Sequence, residues 1–364
     1  MSPIRVGFVG LSKNGWATTI LAPTLVKNDK YRLIAVSTTS KDSAEASAAQ
    51  QKQNTGHEIA PYFGSTSQIA NDPNVDFVAV AVKSPSHRDA LIPVIEAGKN
   101  FFIEWPAGKN LKETREFAAA AHAKGLKTIV GLQGRHTVVI KKVKELIDSG
   151  AIGKVLSTSI IALSPRELRY WGPEVAEKNL FTALADQGSS MIEVAIGHHL
   201  DTFTHVLGDF ASVSATTAVL YPTANVINAD GTTVKTIDNV DSDHIAFTGL
   251  LKSGAIASVT WRSGYASKGR QQLVWEIDGE KGAIRLTDDQ IPSAYVHIRD
   301  PKLYLNGELV EVHGGGLATN IAAGWEEFTK GNEGKHATID DAVRIRGLIE
   351  AIGLSGQEGR RVNL

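Results

Sequence analysis

Ile4-Arg-Val-Gly-Phe-Val-Gly-Leu-Ser-Lys-Asn-Gly15 is the stretch on which the fold turns. Ile4–Val9 is a near-continuous apolar run, the pattern of a strand buried on both faces of a parallel sheet. A turn bearing Gly10, Leu11, Ser12, Asn14 and Gly15 follows, and a helical stretch through Trp16 runs on to Leu25. Gly10 permits a tight turn and Gly15 permits close helix–strand packing. The start of the helix offers unpaired backbone N–H groups and a positive dipole end to a pyrophosphate. The middle position, where glycine would let phosphate approach the backbone, carries Ser12, whose hydroxyl can itself donate to phosphate.

Working outward, strands and helices alternate. Arg32–Val36, Val75–Val82, Phe101–Ile103 and Lys127–Leu132 read as strands. Between them lie a helix with Leu91, Val94 and Ile95 on its apolar face and another over Leu111–Lys124, stopped by Gly125. That alternation predicts βαβ units and a Rossmann-type parallel sheet over residues 1–133. After an amphipathic helix at Val138–Ser149 the pattern changes. Val155–Leu163, Ala211–Leu220, His244–Leu251, Ala255–Trp261, Leu273–Ile277 and Ala283–Leu286 follow one another as strands, with hairpin turns at Lys252–Gly254 and Asp278–Gly282. Helices are expected at Leu184–Leu207, Ile321–Lys330 and Ile339–Ser355. Residues 134–364 therefore form an α+β domain, a mostly antiparallel open sheet covered by helices, so the whole is α/β plus α+β.

Lys and Arg total 38 against 39 Asp and Glu, a net charge of −1. That leaves no basic excess to neutralise a nucleic-acid backbone. The absence of cysteine excludes disulfides, thiolate nucleophiles and Cys-based zinc sites, and no His/Asp/Glu spacing suggests a metal. A first strand at Ile4 leaves no room for a signal peptide, and no apolar run approaches the ~18 residues of a membrane span. A cytoplasmic protein is expected. At the end of the second strand an NAD site usually has a carboxylate for the ribose hydroxyls. Here Ser37, Thr38, Thr39 and Lys41 offer hydroxyls and a cation, which suits the 2′-phosphate of NADP, with NAD the alternative.

The chain resembles the glucose–fructose oxidoreductase/inositol dehydrogenase/MocA family. The resemblance is carried by the Gly10–Gly15 turn, Lys83-Ser-Pro-Ser-His87, Glu104-Trp-Pro106, Gly197-His-x-x-Asp201 and the tail Asp340-Asp-Ala-Val-Arg…Gly359-Arg-Arg-Val362. Ile103-Glu-Trp105 and Leu132-Gln-Gly-Arg135 are similar to a branch that includes the yeast galactose-pathway repressor, a regulator rather than an enzyme. The resemblance implies that Val82, Lys83, Ser84, His87, Glu104, Trp105 and Gln133 lie on the cofactor side, although capping or packing is the plain reading of His87. It implies a substrate pocket drawn from Trp105, Gln133, Arg135, Tyr170, Trp171 and His198, and a homodimer formed through the open sheet. Two departures matter: Trp105 replaces the family's catalytic lysine, and Val194, beside Glu193, replaces an aspartate.

Oxidising an alcohol needs a group to take the hydroxyl proton as hydride leaves. An indole cannot do so at useful pH, so His198 becomes the candidate, since imidazole titrates near neutrality; a structural histidine is the competing reading. His199, on another helix face, reads as structural. Three functions follow: an NAD(P)-dependent oxidoreductase acting on a sugar, polyol or related carbonyl; a catalytically silent nucleotide-binding regulator, which would be nuclear; or redox-neutral chemistry with permanently held cofactor.

Overall fold

The computed structural model describes residues 2–13, 15–184, 186–239 and 241–364, so Asn14 lies outside the described residues. The chain divides into two compact units, Met1–Gln133 with Ala318–Val343, and Gly134–Leu317 with Arg344–Leu364.

In the first unit, strands β1 (Ile4–Val9), β2 (Tyr31–Thr38), β3 (Ala60–Phe63), β4 (Phe77–Val80), β5 (Asn100–Ile103) and β6 (Thr128–Val130) form one sheet in the order β3-β2-β1-β4-β5-β6. Every neighbouring pair is parallel. Val6, Phe8, Val78, Val80, Phe101 and Ile103 are fully buried, as strands covered on both faces require. The strand order reverses beside β1, which opens a crevice at the carboxyl ends where such sheets bind nucleotides.

The first helix begins as a π turn (Ala17–Leu21) and continues as α1 (Ala22–Val26). Helix α2 (Lys41–Thr55), capped by the Ser40 side chain and stopped by Gly56 at φ +75°, joins β2 to β3. Beyond α3 (Ser67–Ala70), α4 (His87–Glu96) and α5 (Leu111–Ala123) complete the crossovers.

The expected boundary placed all of 134–364 in the second domain, and here the structure differs. Ala318–Val343 groups with the first unit because Trp325 packs against Phe102 at 4.8 Å and edge-on to Tyr31 at 6.0 Å. Its indole N–H donates to Thr24 and its carbonyl accepts from the Tyr31 hydroxyl.

The second unit opens with α6 (Val138–Asp148), capped by Thr137. Its main sheet contains β7 (Val155–Ser164), β9 (Phe210–Ala218), β12 (His244–Leu251), β13 (Ile256–Ser263), β14 (Leu273–Gly279), β15 (Gly282–Asp288), β16 (Lys302–Leu305), β17 (Glu308–Val310) and β18 (Val362–Asn363). The order is β17-β16-β15-β14-β7-β13-β12-β9-β18, antiparallel except for β7 beside β13. One face presents Ile160, Val259, Trp261, Phe247 and Trp275, all buried. Helix α7 (Gly197–Leu207) covers it through Phe203, which stacks on Phe210 at 5.1 Å. The other face leaves Ile161 and Ile256 exposed. A small sheet of β8 (Glu174–Ala176), β10 (Thr223–Ile227) and β11 (Thr233–Asp238) was not expected. The helix expected from Leu184 starts only with a π turn at Ile192–Ile196, because Asp186 and Gly188 take positive φ. Two further helices are α8 (Leu317–Thr329) and α9 (Ile339–Glu358). Among the described residues, no helix is long and apolar enough to cross a membrane.

Candidate functional site

The turn after β1 is shaped as a phosphate cradle demands. Gly10 has φ +89°, and a Cβ there would stand 2.4 Å from the Ala81 carbonyl oxygen, so only glycine fits. Its N–H donates to Ser37 O at 2.9 Å, and Ser12 N–H donates to Gly10 O at 2.9 Å. A Cβ on Gly15 would lie 2.8 Å from the Ser12 hydroxyl, so a side chain there would crowd it. Leu11 is buried, and its carbonyl accepts from Ser47 on α2. These features fit the pyrophosphate of a dinucleotide.

At the end of β2, Ser37 and Thr38 are buried, whereas Thr39 and Lys41 are exposed. Lys41 lies 3.8 Å from Glu45, a loose exposed pair that leaves its ammonium accessible. After β4, Val82 and Lys83 lead into a short 3₁₀ turn, Ser84–Ser86, in which Ser84 is buried. His87 is packed: Nδ1 meets Pro106 O at 2.9 Å and Nε2 meets Val82 O at 3.0 Å. It braces the two loops rather than facing a ligand.

Beyond β5, the Glu104 carboxylate accepts the indole N–H of Trp16 at 2.8 Å, while Trp16 itself is 44% exposed. Glu104 Oε2 lies over Gly131, where a Cβ would come within 2.3 Å of it. Desolvation pushes the Glu104 carboxyl up to about 7, against the N–H groups of Trp16 and of the Trp105 backbone, which favour the charged form. Trp105 is almost fully buried, as is Gln133 at the end of the unit.

Arg135 donates through Nε to Asp201 at 3.1 Å, with a second bond from its NH2 group, and both side chains are buried. Its charge is met inside the protein, so it positions α7 instead of offering a free cation to substrate. Glu193 is likewise engaged, by Arg346 at 2.8 Å and by the Ser190 hydroxyl.

His198 stacks on His297, centroids 3.9 Å apart and planes 12° apart. Its Nδ1 is buried with no hydrogen-bond partner among the described residues. Burial pushes His198 down to about 3. Protonating it at pH 7 would cost about 5 kcal/mol at ~1.4 kcal/mol per pH unit. The expectation that this imidazole exchanges protons near neutrality is therefore corrected: it is a neutral, buried ring. Its neighbour His297, held well below the usual range by burial, lies outside every motif and could not have been picked from the sequence. His199 packs edge-on against Trp261 at 5.6 Å, a structural position.

The Tyr170 and Trp171 rings lie tilted against each other at 5.3 Å, and Trp171 borders a shallow recess with Asn239, Asp241 and Asp243. Among the described residues no cluster of three or more His, Asp or Glu side chains could hold a metal ion.

Two family descriptions match the chain. Residues 4–132 match "Oxidoreductase family, NAD-binding Rossmann fold", and residues 138–288 match "Gal80p, C-terminal domain". Dehydrogenase aclE of Aspergillus oryzae is 27% identical over 367 residues, covering 98% of this chain and 97% of that protein. The galactose/lactose metabolism regulatory protein GAL80 of Saccharomyces cerevisiae is 26% identical over 318 residues, covering 84% of this chain and 71% of that one. The crystal structure of a Gal80p super-repressor mutant from the same yeast superposes with TM-score 0.88 at 24% identity, covering 99% and 98% of the two chains.

Proposed function

We propose, from the premise that the chain belongs to the GFO/IDH/MocA oxidoreductase family and carries a Gal80p-like C-terminal domain, that it is an NAD(P)-dependent oxidoreductase acting on a sugar, polyol or related carbonyl. The observation that carries this reading is the Gly10 turn, where the Ala81 carbonyl leaves no room for a side chain and the chain passes from β1 into the helix as a dinucleotide turn does. The Ser12 hydroxyl and the start of the helix after the turn hold the pyrophosphate, and Ser84 supports the nicotinamide half. Thr39 and Lys41, exposed and without a carboxylate at the end of β2, receive a 2′-phosphate, so NADP is favoured over NAD. The nicotinamide, when bound, supplies the hydride acceptor or donor. The protein works as a cytoplasmic homodimer paired through the open sheet of its second unit, without nucleic acid or membrane as partner.

A second reading has its own support. Trp105 stands where the resembled family has its lysine, and the second domain matches that of a regulatory protein. In that case the chain binds the dinucleotide, turns nothing over, and acts on a protein partner in the nucleus. Equilibrium titration with NADPH and NADH tests what both readings share. Binding that Gly10→Ala abolishes supports it; failure of the unaltered chain to bind either nucleotide rejects it.

A further inference from the structure

Trp105 removes the lysine that would handle the proton, and burial removes His198. We propose that Glu104 is the catalytic residue that exchanges the substrate hydroxyl proton. The inference rests on the oxidoreductase reading above. In the oxidising direction the alcohol C–H bond breaks with its electron pair passing to the nicotinamide as hydride. The O–H bond breaks toward the Glu104 carboxylate as the hydride leaves, and the carbonyl forms. In reduction Glu104 returns that proton to the alkoxide oxygen as hydride arrives at carbon.

Two features of the first unit support Glu104 in this role. It follows β5 directly, its N–H donating to Val80 O of β4 at 3.3 Å. It therefore stands at the carboxyl edge of the sheet, on the β4–β5–β6 side of the switch point, the half that takes the second mononucleotide. One carboxylate oxygen is oriented by the Trp16 indole, 88 residues away in the phosphate turn itself, so cofactor cradle and acid–base group share a support.

The ionisable side chains of the loops after β1, β4 and β5 are Lys13, Lys83, His87 and Lys109, and the segment after β6 carries Arg135 and His136. His87 is committed to two backbone carbonyls, and desolvation is the main influence on Glu104. A carboxyl held near 7 is populated in both forms at neutral pH, which is where general acid–base catalysis is most efficient.

The test begins without substrate. Emission of Trp16, isolated as the difference between the unaltered chain and Trp16→Phe, is followed against pH. A transition near pH 7 is expected in the unaltered chain and none in Glu104→Gln. Mixing with NADP+ at pH 7 should release up to about half a proton per chain, since a nearby positive nicotinamide favours the carboxylate; Glu104→Gln should release none. With a substrate found among sugars and polyols, Glu104→Gln is assayed at saturating nucleotide, so that any change in cofactor affinity does not enter. It should lose about 10²–10⁴-fold in kcat, and kcat of the unaltered chain should rise in the oxidation direction through pH 7. A flat Trp16 profile, or turnover by Glu104→Gln within threefold of the unaltered chain, overturns this inference alone. Absence of nucleotide binding by the unaltered chain overturns the oxidoreductase reading and this inference with it.

Discussion

Glu104 carries a thermodynamic consequence that is separate from catalysis. Its carboxyl sits near 7 in the folded chain against 4.5 as a free side chain. Between those values the folded state binds more protons than the unfolded state, so stability falls as pH rises. The favourable contribution is complete below about pH 4.5 and lost as pH passes through about 7. The difference is at most about 3 kcal/mol at ~1.4 kcal/mol per unit. Glu104→Gln, which cannot ionise, is therefore expected to raise the urea midpoint at pH 8 and to leave it nearly unchanged at pH 4.5. Equal shifts at both values would show that the carboxyl is not desolvated. At this scale the sequence was only partly legible. Gly10 announced itself, because a strand–glycine–helix pattern is local. The bond from Trp16 to Glu104 was not legible, because it spans 88 residues. The bond from Arg135 to Asp201 was not legible either, because the two lie 66 residues apart.

Elements with a clear apolar period were read correctly, and those without one were not. Helix α2 offers Lys-Asp-Ser-Ala-Glu-Ala-Ser-Ala-Ala-Gln and buries only Ala44, Ser47, Ala48 and Gln51, so no hydrophobic stripe marks it. Strand β3 contains Pro61 and alternates half-buried with exposed residues, and β11 is almost wholly exposed. Such strands are held by pairing with a neighbour and not by burial, which leaves little trace in sequence. The loop from β2 to α2 is where cofactor choice belongs. Thr39→Asp places a carboxylate at its exposed edge, where it would repel a 2′-phosphate and accept from ribose hydroxyls. The ratio of NADH to NADPH affinity should rise at least about tenfold, about 1.4 kcal/mol, measured by titrating both nucleotides. An unchanged ratio would show that this loop does not meet the ribose.

For the whole molecule, the two-part architecture followed from the switch between alternating and consecutive strands. The placement of Ala318–Val343 did not, since a helix carries no mark of which core receives its Trp325. The open sheet bears on assembly. Ile161 is 48% exposed and Ile256 60% exposed, both on the face opposite Trp261. An uncovered face of this kind fits self-association. Sedimentation should give a dimer mass that Ile161→Glu reduces to that of a monomer; a monomer mass for the unaltered chain would reject the dimer. The central claim is that the dinucleotide site supports hydride transfer and not binding alone. Its most direct test is to follow nicotinamide absorbance with NADP+ and NADPH across a panel of sugars, polyols and small ketones, under conditions where titration shows the site occupied. Steady turnover with at least one of them, lost in Gly10→Ala, is the expected result. Tight nucleotide binding with no turnover across the panel would contradict the enzyme and favour the regulator.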